Sequence, residues 1–425
     1  MAQQLDRWSR FVPFLLADSA EQALAVTNRR IIAEQLAELR RLDDDPDTAL
    51  AATDAALRGL DALDPTTRAQ ADIDAHRLTD RRAPTAARVL GELAACHLAD
   101  DAQRGIADWR TRFAFVQGTT PATLAALRDA VRGATHVAGE WWQRRAPLVG
   151  GAYADRRFGL PAAAASLAEH TAAAAAGIGW ACPSLAAAAT SAARRVVPGA
   201  DNQVVIEADG RISATVAHRP TPRGSLMVAH ETGHTMHALV AQSPDPPGAL
   251  VGESVACWSS LVTGLHAAER SPALALALGD TLVEELFVSA AVSAFEDSVY
   301  ALAAAGTVTA ATLDEAWLAA QRSLWTGVVE VPDHVGSGWA RLPALATDPG
   351  HAFSYVWATV LALAIERRHL HVAHDVVRVA FEAGGIDADQ FTVLLGFTGT
   401  EWIDEGCARL VEVLCDVGQW VASSG

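Results

Sequence analysis

Lysine is missing altogether: the 33 basic residues of the 425-residue chain are all arginine. That excludes a lysine Schiff base and the lysine of a Walker-type phosphate loop. Cysteine is scarce, with Cys96, Cys182, Cys257, Cys407 and Cys415 far apart and no CxxC pair. An odd, scattered set argues against a disulfide framework and for a reducing compartment, so a cytoplasmic location is expected. Only 20% of residues are charged, and the formal net charge is −17, which argues against nucleic acid as a partner because phosphates would be repelled. No uninterrupted apolar run reaches membrane-spanning length. The closest, Pro161–Ala176, is broken by Glu169 and His170, so no membrane span is expected. The short run near Phe11 lacks a basic flank and lies between Asp6 and Asp18, and reads as core rather than as a signal peptide.

What is present points to helices. Half of the chain is hydrophobic and alanine dominates, as in a helical globular protein. Arg29–Leu42 and Ala86–Asp100 carry apolar residues at helical spacing, with Arg, Asp and Glu on the opposite face. Breaks fall at Asp44–Pro46, Asp64-Pro65 and Gly150-Gly151. Trp141 and Trp142 are expected to be core or lobe-interface aromatics. From about Val196 to His218 the pattern becomes β-rich. Asn202–Glu207, a turn at Ala208–Arg211 and alternation over Ile212–Ala217 predict a β-hairpin. Helices then resume almost to the C-terminus.

One segment carries the chemistry. Thr221 suits an N-cap and Pro222 the first helical position, opening a helix that contains His230-Glu231-Thr-Gly-His234. Residues four apart share a helix face, so two imidazoles can reach one zinc at about 2.0–2.1 Å each. Glu231, next to the first histidine, is placed to take a proton from an activated water rather than to bind the metal. A third ligand is needed with a fourth position left open. Glu253, in Val251–Trp258, is the candidate if the next helix folds back. His237, at i+3 and i+7 on the same face, is the competitor for that place and otherwise supports the ligands or packs. Cys257 reads as a small buried residue. Glu284, Glu285 and Glu296 are candidates for orienting the histidines from behind. His369, His371 and His374 read as a solvated surface near a helix end, and Asp43–Asp45 as a loop and cap cluster.

His230–His237 followed by Gly252-Glu-Ser-Val-Ala256 resembles the thimet oligopeptidase and oligoendopeptidase F family of zinc peptidases, and oligoendopeptidase F is the nearer branch. The likeness continues through Val288–Glu296, Ala305–Thr309, Trp339-Ala-Arg-Leu-Pro343 and Phe353–Thr359, in the family's order. It covers about the C-terminal half. The resemblance implies a mainly α, two-lobed fold with a deep channel and a small β-hairpin beside the HExxH helix. The lobes would be 1–195, helical and N-terminal, and 196–425, catalytic. It implies one zinc ion on His230, His234 and Glu253, with Glu231 as general base and later proton donor. Tyr355 would face the substrate from the opposite wall. The strand Ile212–Ala217 would be the sheet edge that pairs with a peptide, through Ile212, Ala214 and Val216.

Tyr355 is one of only three tyrosines, and a phenol or imidazole aimed at an oxyanion lowers the barrier by about 2.7–4 kcal/mol. The chain also departs from the family pattern. The loop between His234 and Glu253 is shorter, Ala344 replaces a histidine, and Phe353 and Trp357 replace tyrosines. An insertion precedes His351, which is therefore a candidate for the lost donor. The N-terminal region is short. The expectation is a zinc endopeptidase that hydrolyses oligopeptides. The alternatives are a processing protease dedicated to one precursor, a degenerate peptide-binding protein that keeps its metal, and a carboxypeptidase. Peptide is the expected partner; the sequence sets no oligomeric state.

Overall fold

The computed structural model describes residues 37, 41, 64–199, 202–206, 210–241, 247–370 and 374–422. The apolar run near Phe11, Asp43–Asp45, His371 and nearly all of Arg29–Leu42 lie outside them.

The chain is mainly α. Its first half holds α1 (Pro65–Gln103), α2 (Trp109–Gln117), α3 (Pro121–Gly133), α4 (His136–Val149), a 3-10 turn at Tyr153–Arg157, α5 (Leu167–Ala181) and α6 (Ala186–Ala193). A small sheet follows: β1 (Val196–Pro198), β2 (Gln203–Ile206) and β3 (Ile212–Val216). Then come α7 (Pro222–Val240), α8 (Ala249–Ala268), α9 (Pro272–Val283), a π-helical turn at Glu284–Val288, α10 (Ser289–Ala304) and α11 (Ala310–Trp325). A 3-10 segment, Asp333–Arg341, precedes α12 (Ala344–Thr347), α13 (His351–His369), α14 (His374–Glu382), α15 (Ala388–Leu394) and α16 (Glu401–Ala422).

Capping chemistry sets several of these boundaries. Asp64 accepts the Thr67 N–H at 2.7 Å, and Pro65 stands at the first position of α1. The Asp64-Pro65 break is thus a helix start. α1 runs far beyond the stretch legible from apolar spacing and carries Pro84 inside it. Its first half buries charge rather than hydrocarbon. Arg68 pairs with Asp155 at 2.7 Å, and Asp72 pairs with Arg156 at 3.1 Å. A helix face held by ion pairs has no apolar period to read.

One hydrophobic core runs through the described residues from Ala83 to Val421. It includes Trp141 and Trp142, as expected. At its centre α7 packs on α5, α6 and α8, and α8 packs on α13. The contact between α7 and α8 is close because of Gly233. A Cβ there would meet Ser259 Oγ at 2.6 Å and the Ala256 Cα at 2.9 Å. Gly233→Ala is therefore expected to cost about 1–3 kcal/mol by overpacking and to weaken metal binding by levering α8 off α7. Thermal unfolding and a metal titration check this, and an unchanged metal affinity would show that the spacing of the two helices is slack.

The sheet corrects one expectation. Its order is β1-β3-β2, with β1 parallel and β2 antiparallel to β3. β3 is the central strand. Ala214 and Val216 are fully buried against Val228 of α7 and pair with Val196 and Pro198 along one side and, for Ala214, with Val204 on the other. Only Ile212 and Ser213 lack a β1 partner. Ile212, Ala214 and Val216 therefore do not form a free edge for a peptide. A three-residue strand such as β1 is too short to announce itself in the sequence.

Candidate active site

Thr221 Oγ1 accepts the Gly224 N–H at 3.1 Å and caps α7, which sets the helical phase of everything after it. His230 and His234 then lie one turn apart, with their Nε2 atoms 3.2 Å from each other. Glu253, in the first turns of α8, brings Oε2 to 3.2 Å from His230 Nε2 and 3.6 Å from His234 Nε2. A tetrahedral cation with bonds of about 2.0–2.1 Å holds its ligand atoms about 3.3–3.4 Å apart. The triangle matches one face of that tetrahedron. Glu253 Oε2 is buried, and no donor points at it with hydrogen-bond geometry. Two imidazole nitrogens facing an orphaned buried carboxylate oxygen suit a divalent cation.

The electrostatics agree. Burial would push His230 down, yet pairing with Glu253 and the charges of Glu231 and Glu285 carry it up to about 9. Burial would raise Glu253, but His234 and His230 hold it well below the usual carboxylate range. Protons here stand in for a cation. Cys257 offers a sulfur within 4.8 Å of the His230 and Glu253 donors. Burial, Glu285 and Glu253 push its thiol well up, so it stays protonated and is the poorer ligand. Two imidazoles and a carboxylate remain the set whose spacing fits.

Glu231 is buried beside His230, and its charge bears on both His230 and Tyr355. The Tyr355 ring stacks on the His230 ring, with centroids 5.9 Å apart, and meets the His351 ring edge-on at 5.2 Å. Glu253 above all, then burial, raises the Tyr355 phenol well above its ordinary value, so it is a proton donor at neutral pH. Burial opposes a charge on His351, but Asp348 Oδ2, 3.3 Å from its Nδ1, raises it. The structure thus brings His230, Glu231, His234, Glu253, His351 and Tyr355 together.

Glu296 acts differently from expectation, and His237 takes the packing role that the sequence left open for it. Glu296 does not touch the histidines. Its Oε1 accepts the Gly350 N–H at 2.9 Å and so anchors the start of α13, which carries His351 and Tyr355. Gly350 has φ 86°, and a Cβ there would lie 2.3 Å from Phe113 Cδ2, so glycine is required. His237 is buried and packs near Phe381, with ring centroids 6.5 Å apart, and its Nδ1 has no partner. It lies off the ligand triangle because i+3 from His234 rotates it toward α14. Of the π-turn acids, Glu284 pairs with Arg223, whereas Glu285 accepts from Thr359 Oγ1 at 3.4 Å and stands close enough to His230 and Cys257 to shift both. Glu285 thus lies on the side of His230 and Cys257, on a π-turn that the sequence does not announce. His369, expected at the surface, is buried, and its Nε2 bonds to the Leu395 carbonyl at 2.8 Å.

Glu296 makes a pH prediction. Burial pushes it up to about 8, against the Gly350 N–H and with Asp297 and Asp348 assisting. Between 4.5 and 8 the folded protein holds a proton that the unfolded chain has released. Its contribution to stability is therefore complete below pH 4.5 and lost as pH rises through 8. Glu296→Gln keeps the acceptor for Gly350 and removes this dependence. The melting temperature of the variant should fall less than that of the wild type across this window, and parallel curves would contradict the assignment.

A cavity of about 270 Å³ adjoins the site. Trp141, Tyr153, Arg156, Val288, Trp317 and Arg341 line it, together with His351 and Tyr355. The ligand triangle itself lies beyond Tyr355, outside the lining.

No family model and no curated protein matches the chain. Among solved structures, a candidate peptidase from Chlamydophila abortus matches with a TM-score of 0.75 at 13% identity, covering 95% of this chain and 75% of that one. Oligoendopeptidase F from Enterococcus faecium matches at 0.64 and 14% identity, covering 87% and 66%. PZ peptidase A, in a structure with an inhibitor, matches at 0.72 and 15% identity, covering 94% and 77%. The chain has the oligoendopeptidase F fold, in agreement with the resemblance carried by its motifs.

Proposed function

We propose that the protein is a zinc-dependent endopeptidase that hydrolyses oligopeptides. The observation that carries this reading is the convergence of His230, His234 and Glu253 on one point, with Glu231 and Tyr355 beside it. His230, His234 and Glu253 would hold a single zinc ion, which when bound would supply Lewis acidity. Glu231 takes the water's proton and later delivers it to the leaving amine. The Tyr355 phenol, with His351 next to it, donates to the oxygen on which negative charge develops. The lobes 1–195 and 196–425 hold the peptide between them, and burial of the site keeps bulk water from competing for these hydrogen bonds.

Metal analysis combined with product mapping on a mixed peptide library tests the reading. One zinc per chain, internal cleavage, and loss of cleavage on chelation with recovery on adding zinc are expected. Release of C-terminal residues alone would make it a carboxypeptidase, and a zinc-loaded protein that cuts nothing would be a binder.

A further inference from the structure

The cavity beside Tyr355 contains a cationic wall for which the hydrolytic chemistry has no use. Arg156, Arg157 and Arg341 line it together with His76. Arg156 is committed: it pairs with Asp72 at 3.1 Å and donates to the Tyr153 carbonyl at 2.8 Å. Arg157 lies 3.9 Å from Glu284. Arg341 has no ion pair among the described residues, and its Nε is buried without a hydrogen-bond partner. Burial first, then the like charges of Arg157 and Arg156, push it down to about 9. It is still a cation at neutral pH, held at a cost by its surroundings. A guanidinium in that position lacks an anion, and its planar fork matches a carboxylate.

The neighbouring trio Asp72, His76 and His334 brings its donor atoms within 4.8 Å, a spacing open to a metal ion. Arg156 already occupies Asp72, His76 spends its Nδ1 on the Asp72 carbonyl at 2.7 Å, and Arg341 and Arg156 both act on His76. A dication would be repelled by the same two guanidinium groups that attract an anion. The lining also holds acids, each with its own partner: Asp280 on Arg145, Glu284 on Arg223, Glu296 on the Gly350 N–H and Asp348 on His351. Apolar side chains, among them Trp317, Val335 and Leu342, complete it. Such a surface suits an aliphatic or aromatic residue bearing a carboxylate beside it.

We propose that Arg341 binds a carboxylate of the peptide, either its free C-terminus or an Asp or Glu side chain, and so selects substrates by where that charge falls relative to the bond cut. The inference rests on the peptide-binding part of the function proposed above. Binding is measured by calorimetry on the zinc-loaded Glu231→Gln protein, so turnover does not enter. Three hexapeptides of otherwise neutral sequence serve as probes: the free acid, the C-terminal amide, and the amide with one internal glutamate. At least one of the two carboxylate-bearing peptides should bind about 10–100-fold more tightly than the neutral amide, and which one does so identifies the source. Adding Arg341→Gln should abolish that ratio and leave the amide's Kd unchanged, while Arg341→Lys should restore part of it. Equal Kd values for all three peptides on the Arg341 protein, equal weakening of all three by Arg341→Gln, or no binding of any would overturn the proposal. If Arg341→Gln does not fold, the acid-to-amide ratio on the Arg341 protein and its change in Arg341→Lys decide. Failure of the wild type to cut any peptide would sink the peptidase reading while leaving this ratio to judge Arg341.

Discussion

Glu231→Gln should retain one zinc per chain and lower turnover by about 10²–10⁴-fold, the range set by losing a positioned acid–base group. The argument is geometric. His230, His234 and Glu253 complete a ligand triangle with edges of 3.2, 3.2 and 3.6 Å, and Glu231 is not one of its corners. An amide of the same shape leaves that triangle intact but cannot accept the water's proton. KM should change little, because the lost interaction belongs to the transition state. Zinc content by elemental analysis and single-turnover rates on one cleaved peptide check both halves. Loss of zinc from the variant would make Glu231 a ligand, and full activity would remove the mechanism.

Glu253→Ala should act on the opposite half: metal binding is lost and activity goes with it. Removing the carboxylate leaves two imidazoles from one helix and no anion to complete the set. The readout is stability rather than rate. A ligand present at about 100–1,000 times its Kd stabilises the folded state by about 2.7–4.1 kcal/mol. The wild type should show that gain in melting temperature on adding zinc, and the variant should show almost none. The metal-free proteins should differ less, since His230 can shed its proton once its partner is gone. A zinc-dependent rise in melting temperature that survives Glu253→Ala would point to Cys257, the nearest other donor, as the third ligand.

The parts of the site that lie on one helix were open to reading from the sequence. Thr221, Pro222 and the His230–His234 spacing all follow from helical geometry that neighbouring residues dictate. Glu253 was reachable because the segment between the two helices is long enough for α8 to fold back on α7. Other parts were hidden for identifiable reasons. The first half of α1 buries Arg68 and Asp72 in ion pairs, so no apolar stripe marks it. Glu285, which bonds to Thr359 and acts on His230, sits on a π-turn, and hydrophobic spacing does not register a one-residue change of helical phase. Glu296 has the composition of a ligand support, yet its oxygen belongs to Gly350.

By itself the sequence determined the helical character of the chain, the pair of imidazoles with a carboxylate between them, and the exclusion of lysine chemistry, because each of these depends on residue type and on spacing within one element. Only the tertiary structure decided that β3 is a central strand, that Glu296 holds the start of α13, and that Arg341 lines a cavity with no ion-pair partner among the described residues. Those facts depend on which elements meet. That choice is made by packing and charge pairing summed over residues distant in the chain, and no local period records it.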